Sequence, residues 1–263
     1  MTRVSYFSLL FVALFCGATQ TYASTTMRGS SRFVVDPVVD DAVWVPKSFR
    51  GLSYRILMPI HFDPQTSYPL VVFLHGSGES GTDNQVQIRN GVEKFASSKY
   101  RSRFAAIVIA PQCPDDEDSW GGYAYDNKPT ETQARVIQLT RALIGELPID
   151  EDRVYLMGVS MGAIGTWDII ARYPHLFAAA IPVAGAGDPQ NFSILLNFPI
   201  WAFHGELDEN VDPEDDETMF SLIHSAGGLM KYTEYKGVGH NSWDQTFSNP
   251  KVIEWLFEQK RNH

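Results

Sequence analysis

A series of continuous apolar runs, each closed by turn residues, governs what this 263-residue chain can fold into. They are Tyr68–Leu74 (YPLVVFL), 104–110 (FAAIVIA), 153–157 (RVYLM), 177–183 (FAAAIPV) and 199–203 (PIWAF). Such runs, rich in branched residues, suit strands buried on both faces of a parallel sheet, because a half-exposed strand would alternate apolar and polar residues. Helical spacing fills the intervals at 84–98, 130–145 and 163–173. A further helix is expected at 214–226, entered after Pro213 and left at Gly227-Gly228. Lys231–Tyr235 reads as one more strand and 252–260 as a final helix, while 43–60 carries strand-like stretches, clearest at 54–58. Strands alternating with helices predict an α/β fold, with a mostly parallel, doubly wound sheet flanked by helices and joined by right-handed crossovers. No repeat, low-complexity tract or long linker divides the chain, so one domain is expected over 24–263.

Charge and the N-terminus narrow the functional classes. Lys+Arg number 21 against 31 Asp+Glu, a formal net charge of −10. A nucleic-acid binder needs a basic surface to displace counterions, so that class is disfavoured. Residues 1–23 have the form of a cleavable signal peptide: Arg3, an apolar core at 9–16, and Thr21-Tyr22-Ala23 ending in a small residue. The apolar core is too short to span a bilayer, and bulky Phe15 before Cys16 fits poorly with a lipid anchor there. Export to a secreted or periplasmic location is expected, without stable membrane insertion. Cys16 and Cys113 are the only cysteines, so leader cleavage leaves Cys113 alone, with neither an intramolecular disulfide nor a cysteine metal site. Neither metal nor cofactor is expected.

Chemistry enters at Gly158-Val159-Ser160-Met161-Gly162, between the run 153–157 and the helical pattern 163–173. A serine at such a strand–turn–helix junction sits on a strained backbone, with its hydroxyl held above the sheet edge and a helix N-terminus behind it. A helix-capping serine in a glycine-rich turn would give the same pattern. The rest of the chain favours a nucleophile elbow, and hence a serine hydrolase.

A serine hydroxyl needs a base, and the base an orienting acid. In chain order these should follow as serine, acid, histidine. His175 follows the elbow helix too closely, His204 has no acid on a strand end before it, His224 falls inside a predicted helix, and His263 ends the chain. His240 remains, in the flexible loop Lys236-Gly237-Val238-Gly239-His240. The acid belongs at the carboxyl end of the run 199–203. Asp208 is the first choice, ahead of Asp212 and Glu206, because Asp212 precedes Pro213 and suits a helix cap. Backbone N–H groups for an oxyanion are expected at Met161 and at Ser77, in the glycine-rich loop after Tyr68–Leu74. That loop also matches G-x-G-x-x-G at 76–81, but the next run ends in Ala110-Pro111-Gln112-Cys113, without the ribose-binding acid a dinucleotide site requires.

Leu74-His75-Gly76-Ser77-Gly78-Glu79, Ala110-Pro111-Gln112-Cys113-Pro114, the elbow, His204-Gly205-Glu206-Leu207-Asp208 and Gly237-Val238-Gly239-His240-Asn241-Ser242-Trp243-Asp244 together resemble the small α/β-hydrolase esterases. Within these the chain is similar to the polyhydroxybutyrate-depolymerase-like, feruloyl-esterase-like and phospholipase/carboxylesterase group, often called predicted peptidases. The resemblance runs from about Leu52 to the C-terminus. It implies Ser160, Asp208 and His240 as a catalytic triad, Ser77 and Met161 as the oxyanion hole, and a small-molecule or polymer-derived ester as substrate. Gln112, Trp120 and Trp243 are candidate substrate contacts, with packing the favoured role at Trp243. The expected activity is carboxylic-ester hydrolysis through an acyl-enzyme. A prolyl-oligopeptidase-type peptidase and a catalytically silent binding domain are the alternatives.

Overall fold

A computed structural model describes residues 43–114, 119–122 and 128–261, so the proposed leader at 1–23 lies outside the described residues. The first strands, β1 (Val45–Phe49) and β2 (Leu52–Leu57), form an antiparallel hairpin. Arg50 and Gly51 turn it with φ of 48° and 84°, the left-handed pair a two-residue hairpin loop demands. Next in the chain come β3 (Tyr68–Leu74), β4 (Ile107–Pro111), β5 (Ile149–Val159), β6 (Ala179–Val183), β7 (Trp201–Gly205) and β8 (Lys231–Tyr235). All join one 8-stranded sheet of order β1-β2-β4-β3-β5-β6-β7-β8. Among the described residues, only the pairings of β2 with β1 and β4 are antiparallel; from β4 through β8 the strands run parallel. Every residue of β3 and β4 is buried, as their unbroken apolar sequences require.

Strand order reverses beside β3: β4 lies on one side of it and β5 on the other. A crevice opens outside the carboxyl ends of strands at such a switch point. Leu74 and Gly158 are paired there, so the loops beginning at His75 and Ser160 leave the sheet side by side.

The helices are α1 (Ser98–Arg103), α2 (Glu131–Glu146), α3 (Met161–Arg172), α4 (Pro213–Ser225), α5 (Trp243–Ser248) and α6 (Pro250–Glu258). Thr130 caps α2 by accepting from the N–H of Gln133, and Asn249 caps α6 by accepting from that of Lys251. One face of the sheet packs Phe73, Tyr155, Met157 and Phe203 against Phe247, Val252 and Trp255 of the C-terminal helices. Each large side chain so buried contributes on the order of 2–3 kcal/mol.

The helix expected at 84–98 does not form. Two 3₁₀ turns, Val86–Ile88 and Val92–Ala96, occupy the interval, and α1 begins only at Ser98. Asn84 and Asn90 adopt φ of 52° and 57°, a conformation no right-handed helix contains, and asparagine tolerates it better than most residues. The short helix α5 and the 3₁₀ segment Pro189–Leu195 are additions the apolar periodicity does not announce.

Candidate active site

Ser160 ends β5 and begins α3 with φ 53° and ψ −120°, a conformation an L-residue adopts only under constraint. Its N–H donates to Val183 O at 2.9 Å, and its carbonyl accepts from Ala163 and Ile164 at 2.8 and 3.0 Å. Close backbone approach fixes the turn. A Cβ on Gly158 would sit 2.2 Å from Gly162 O, and one on Gly162 only 2.0 Å from Leu74 O. Glycine at both places is therefore a packing requirement.

The loops after β7 and β8 bring an acid and a base to this hydroxyl. Ser160 Oγ lies 2.8 Å from His240 Nε2, and His240 Nδ1 lies 2.7 Å from Asp208 Oδ2. The two loops are tied together: Glu206 N–H donates to Tyr235 O and Leu207 N–H to Val238 O, at 3.0 and 2.8 Å. Asp208 Oδ1 accepts from the N–H groups of Asn210 and Val211 at 2.9 and 3.1 Å. Burial pushes the Asp208 carboxyl up, but the hydrogen bond from His240 and those two backbone N–H groups outweigh it and hold it below the ordinary carboxylate range. An ionised acid at Nδ1 fixes the imidazole with its Nε2 lone pair toward the hydroxyl. His240 itself is 21% exposed, and Trp243 packs against it edge-on with ring centroids 5.1 Å apart.

The loop after β3 closes the other side of the serine. A Cβ on Gly76 would lie 3.4 Å from Ser160 Cβ. Ser77 opens the 3₁₀ turn Ser77–Glu79 and Met161 opens α3, so each N–H is at a helix start, where no intrahelical acceptor exists. His75, fully buried, anchors this loop. Cys113 N–H donates to its Nε2 at 2.9 Å, which leaves the proton on Nδ1 to bond Gly76 O at 2.6 Å. Burial pulls the His75 pKa down to about 4, with the Gly76 carbonyl opposing, so the ring stays neutral at pH 7. Glu79 braces the same loop by accepting from the Gly76 N–H and from Asn90 Nδ2, the latter at 2.8 Å.

Ser160 and Met161 at the β5–α3 turn, Ser77 after β3, Asp208 after β7 and His240 after β8 thus come from four segments at the carboxyl ends of the strands. Gln112 and Trp120, two of the candidate substrate contacts, are buried among the described residues. Gln112 is buried: its Oε1 accepts from Asn84 N–H at 2.6 Å, and its Nε2 donates to Glu79 O and Asp83 Oδ1 at 3.2 and 2.9 Å. Its polar atoms are spent on the loop that carries Ser77. Trp120 is fully buried, with its indole N–H donating to His75 O at 2.9 Å and its Cβ filling the space beside Gly165. Asp212 caps α4 by accepting from Glu214 N–H at 3.0 Å, and Glu206 accepts from Gly237 N–H and Lys236. Neither touches His240 in these bonds. His204, which the sequence disfavours as the base, and Asp216, in an acidic helix start that reads as solvated, are both buried behind Asp208; the i, i+4 spacing of His204 and Asp208 is the signal that links them.

Comparison with known proteins identifies the family. The phospholipase/carboxylesterase family matches residues 60–254. The crystal structure of a thermostable esterase superposes with a TM-score of 0.79 and 39% identity, covering 83% of this chain and 64% of that one. An uncharacterised secreted protein of Arthroderma benhamiae is 26% identical over 72% of this chain and 23% of its own length. A bifunctional acetylxylan esterase/xylanase of Neocallimastix patriciarum is 26% identical over 60% of this chain and 22% of its own. The chain therefore spans less than a quarter of each of these two relatives. An elbow at the switch point of a mostly parallel sheet, and a family match across most of that sheet, lead to one assignment: the chain belongs to the phospholipase/carboxylesterase family of α/β-hydrolases.

Proposed function

We propose that the protein hydrolyses carboxylic esters through an acyl-enzyme on Ser160, with His240 as general base and then general acid, and Asp208 as the orienting carboxylate. The observation that carries this reading is the unbroken chain from Ser160 Oγ to His240 Nε2 at 2.8 Å and from His240 Nδ1 to Asp208 Oδ2 at 2.7 Å. As Oγ bonds to the ester carbonyl carbon, its proton passes to Nε2. The carbonyl oxygen takes up the negative charge facing the N–H groups of Ser77 and Met161, at the positive end of α3. Collapse expels the alcohol, which takes the proton from Nε2, and a water repeats the sequence to release the acid.

The esterase and acetylxylan esterase among its relatives support an ester, with a sugar-borne acetyl group among the substrates to try first. Labelling with a fluorophosphonate, followed by peptide mapping, should place the adduct on Ser160. Hydrolysis of p-nitrophenyl acetate should vanish in Ser160→Ala. Turnover by a folded Ser160→Ala variant would refute the assignment. A panel of acetyl, feruloyl, hydroxybutyryl and longer acyl esters, with a peptide amide alongside, would then define specificity. Export rests on residues 1–23 and on the secreted relative, and N-terminal sequencing of the mature protein at Ser24 tests it.

A further inference from the structure

Behind Asp208, on the side away from His240, lies a second imidazole that the proposed proton path leaves unused. His204 on β7 is fully buried. Its Nε2 is 3.1 Å from Asp208 Oδ2 and 3.1 Å from Val211 O, and its Nδ1 is 2.8 Å from Asp216 Oδ2. Asp216, in the first turn of α4, is fully buried too, and its Oδ1 accepts the indole N–H of Trp167 at 2.8 Å. Asp208 Oδ2 is thus shared by two imidazoles, His240 from the front and His204 from behind.

Proton accounting restricts the state of this cluster. A carbonyl oxygen only accepts, so the contact with Val211 O requires a proton on His204 Nε2. The Nδ1 contact with Asp216 requires another, carried by the ring or by the carboxyl. Burial raises the Asp216 pKa, and the hydrogen bonds from His204, Trp167 and the Gly185 N–H oppose it; donors arriving at both carboxyl oxygens fit a carboxylate facing an imidazolium. Burial pulls the His204 pKa down, but the Asp216 hydrogen bond and charge, the Val211 carbonyl and Asp208 together hold it above its ordinary value.

We propose that His204 is a positioning residue held as an imidazolium between Asp216 and Asp208, where it pins Asp208 Oδ2 toward His240 and offsets part of the charge that His240 feels. The inference rests on the proposed roles of Ser160, Asp208 and His240. A ring that only filled space would need no second buried acid behind it. Opposite Asp216, an uncharged ring would require the carboxyl itself to carry the proton and donate it to Nδ1, while its other oxygen still accepts from Trp167. The ionisable groups around His204 are Asp208 in the loop after β7, Asp215 and Asp216 on α4, Tyr232 on β8, and His240 beyond Asp208. Burial and the nearby Asp216 carboxylate raise the Tyr232 pKa, so this phenol stays neutral across the working range. The cation nearest Asp208 on its rear side is therefore His204.

The double variant His204→Gln, Asp216→Asn removes both charges while keeping polar groups at both positions, so no lone buried carboxylate remains. Its rate of fluorophosphonate labelling at Ser160, followed against pH, should show the acid limb moved upward by about half a unit, a roughly threefold loss at a fixed pH on that limb. A merely structural role would lower stability or the plateau rate and leave the limb in place. In the wild type, ¹⁵N shifts of labelled histidine should report both His204 nitrogens protonated at pH 7.5, a measurement that needs no variant to fold. An unmoved limb in the folded double variant, or a neutral His204 ring at that pH, overturns the proposal. Failure of the wild type to label at Ser160 would instead overturn the hydrolase reading, and the nitrogen shifts would still report on His204.

Discussion

Ser160 shows what a single residue gives up for position. Its φ of 53° is one a β-carbon resists, and strain of this kind costs on the order of 1–3 kcal/mol. Ser160→Gly removes the β-carbon together with the hydroxyl. The variant should therefore be inactive and more stable, with a thermal midpoint about 2–4 °C higher per kcal/mol relieved. A midpoint at or below the wild-type value in a calorimetric scan would mean that the turn stores no such strain. Asp208→Asn keeps the shape of the acid but presents an amide to His240 Nδ1, favouring the wrong tautomer. Catalysis of p-nitrophenyl acetate hydrolysis should fall by roughly 10⁴ in kcat with the fold intact. A loss below tenfold would assign the orienting role elsewhere.

Elements explain which parts of this site could be read from sequence. The elbow was legible because strand, glycines, serine and helix are contiguous, and each has a local signature. The acid is less sharply marked: Asp208 ranks ahead of Asp212 and Glu206 in sequence, since a carboxylate at a helix start suits a cap as well as a triad, and in the folded loop Asp208 is the one bonded to His240. Asp212→Ala separates the two roles: losing the cap on α4 should cost about 1 kcal/mol in urea unfolding and leave kcat/KM within about twofold. A collapse of activity with unchanged stability would reverse the assignment. What stayed hidden depends on contacts distant in the chain. Gln112 looked like a cleft residue, yet it holds Asn84 and Glu79, 28 and 33 positions away. Gln112→Ala should loosen the Ser77 loop and lower kcat about tenfold more than it raises KM, because the loop's N–H matters chiefly when charge develops on the carbonyl oxygen. A pure KM effect would return Gln112 to substrate binding. The helix misread at 84–98 has the same origin, with local spacing overruled where Asn84 and Asn90 turn the chain and bond Lys47 O and Glu79, 37 and 11 positions away.

At the scale of the whole molecule, two buried histidines set opposite edges to stability. His75, neutral when folded with a pKa near 4, would titrate near 6.5 in the unfolded chain. The unfolded state therefore binds the extra proton first as pH falls, and stability declines from about pH 6.5 toward 4. The full shift corresponds to about 3 kcal/mol, an upper figure for so buried a ring. Asp208, held below the ordinary carboxylate range, adds to this loss at still lower pH, as protonation removes what its bonds to His240 and to the backbone supply. His204 has the opposite sign. Its folded pKa is raised, so its contribution is complete below the unfolded value of about 6.5 and is lost as pH rises through the folded one. The thermal midpoint should accordingly pass through a maximum between about pH 6 and 7 and fall on both sides. In the double variant His204→Gln, Asp216→Asn the acid side should persist while the alkaline decline flattens, because only that limb belongs to His204. Scanning calorimetry from pH 4 to 9 on both proteins distinguishes the two limbs. A wild-type midpoint that climbs steadily to pH 9 would mean that His204 is not cationic in the folded protein, and the restraint behind Asp208 would then be a neutral one.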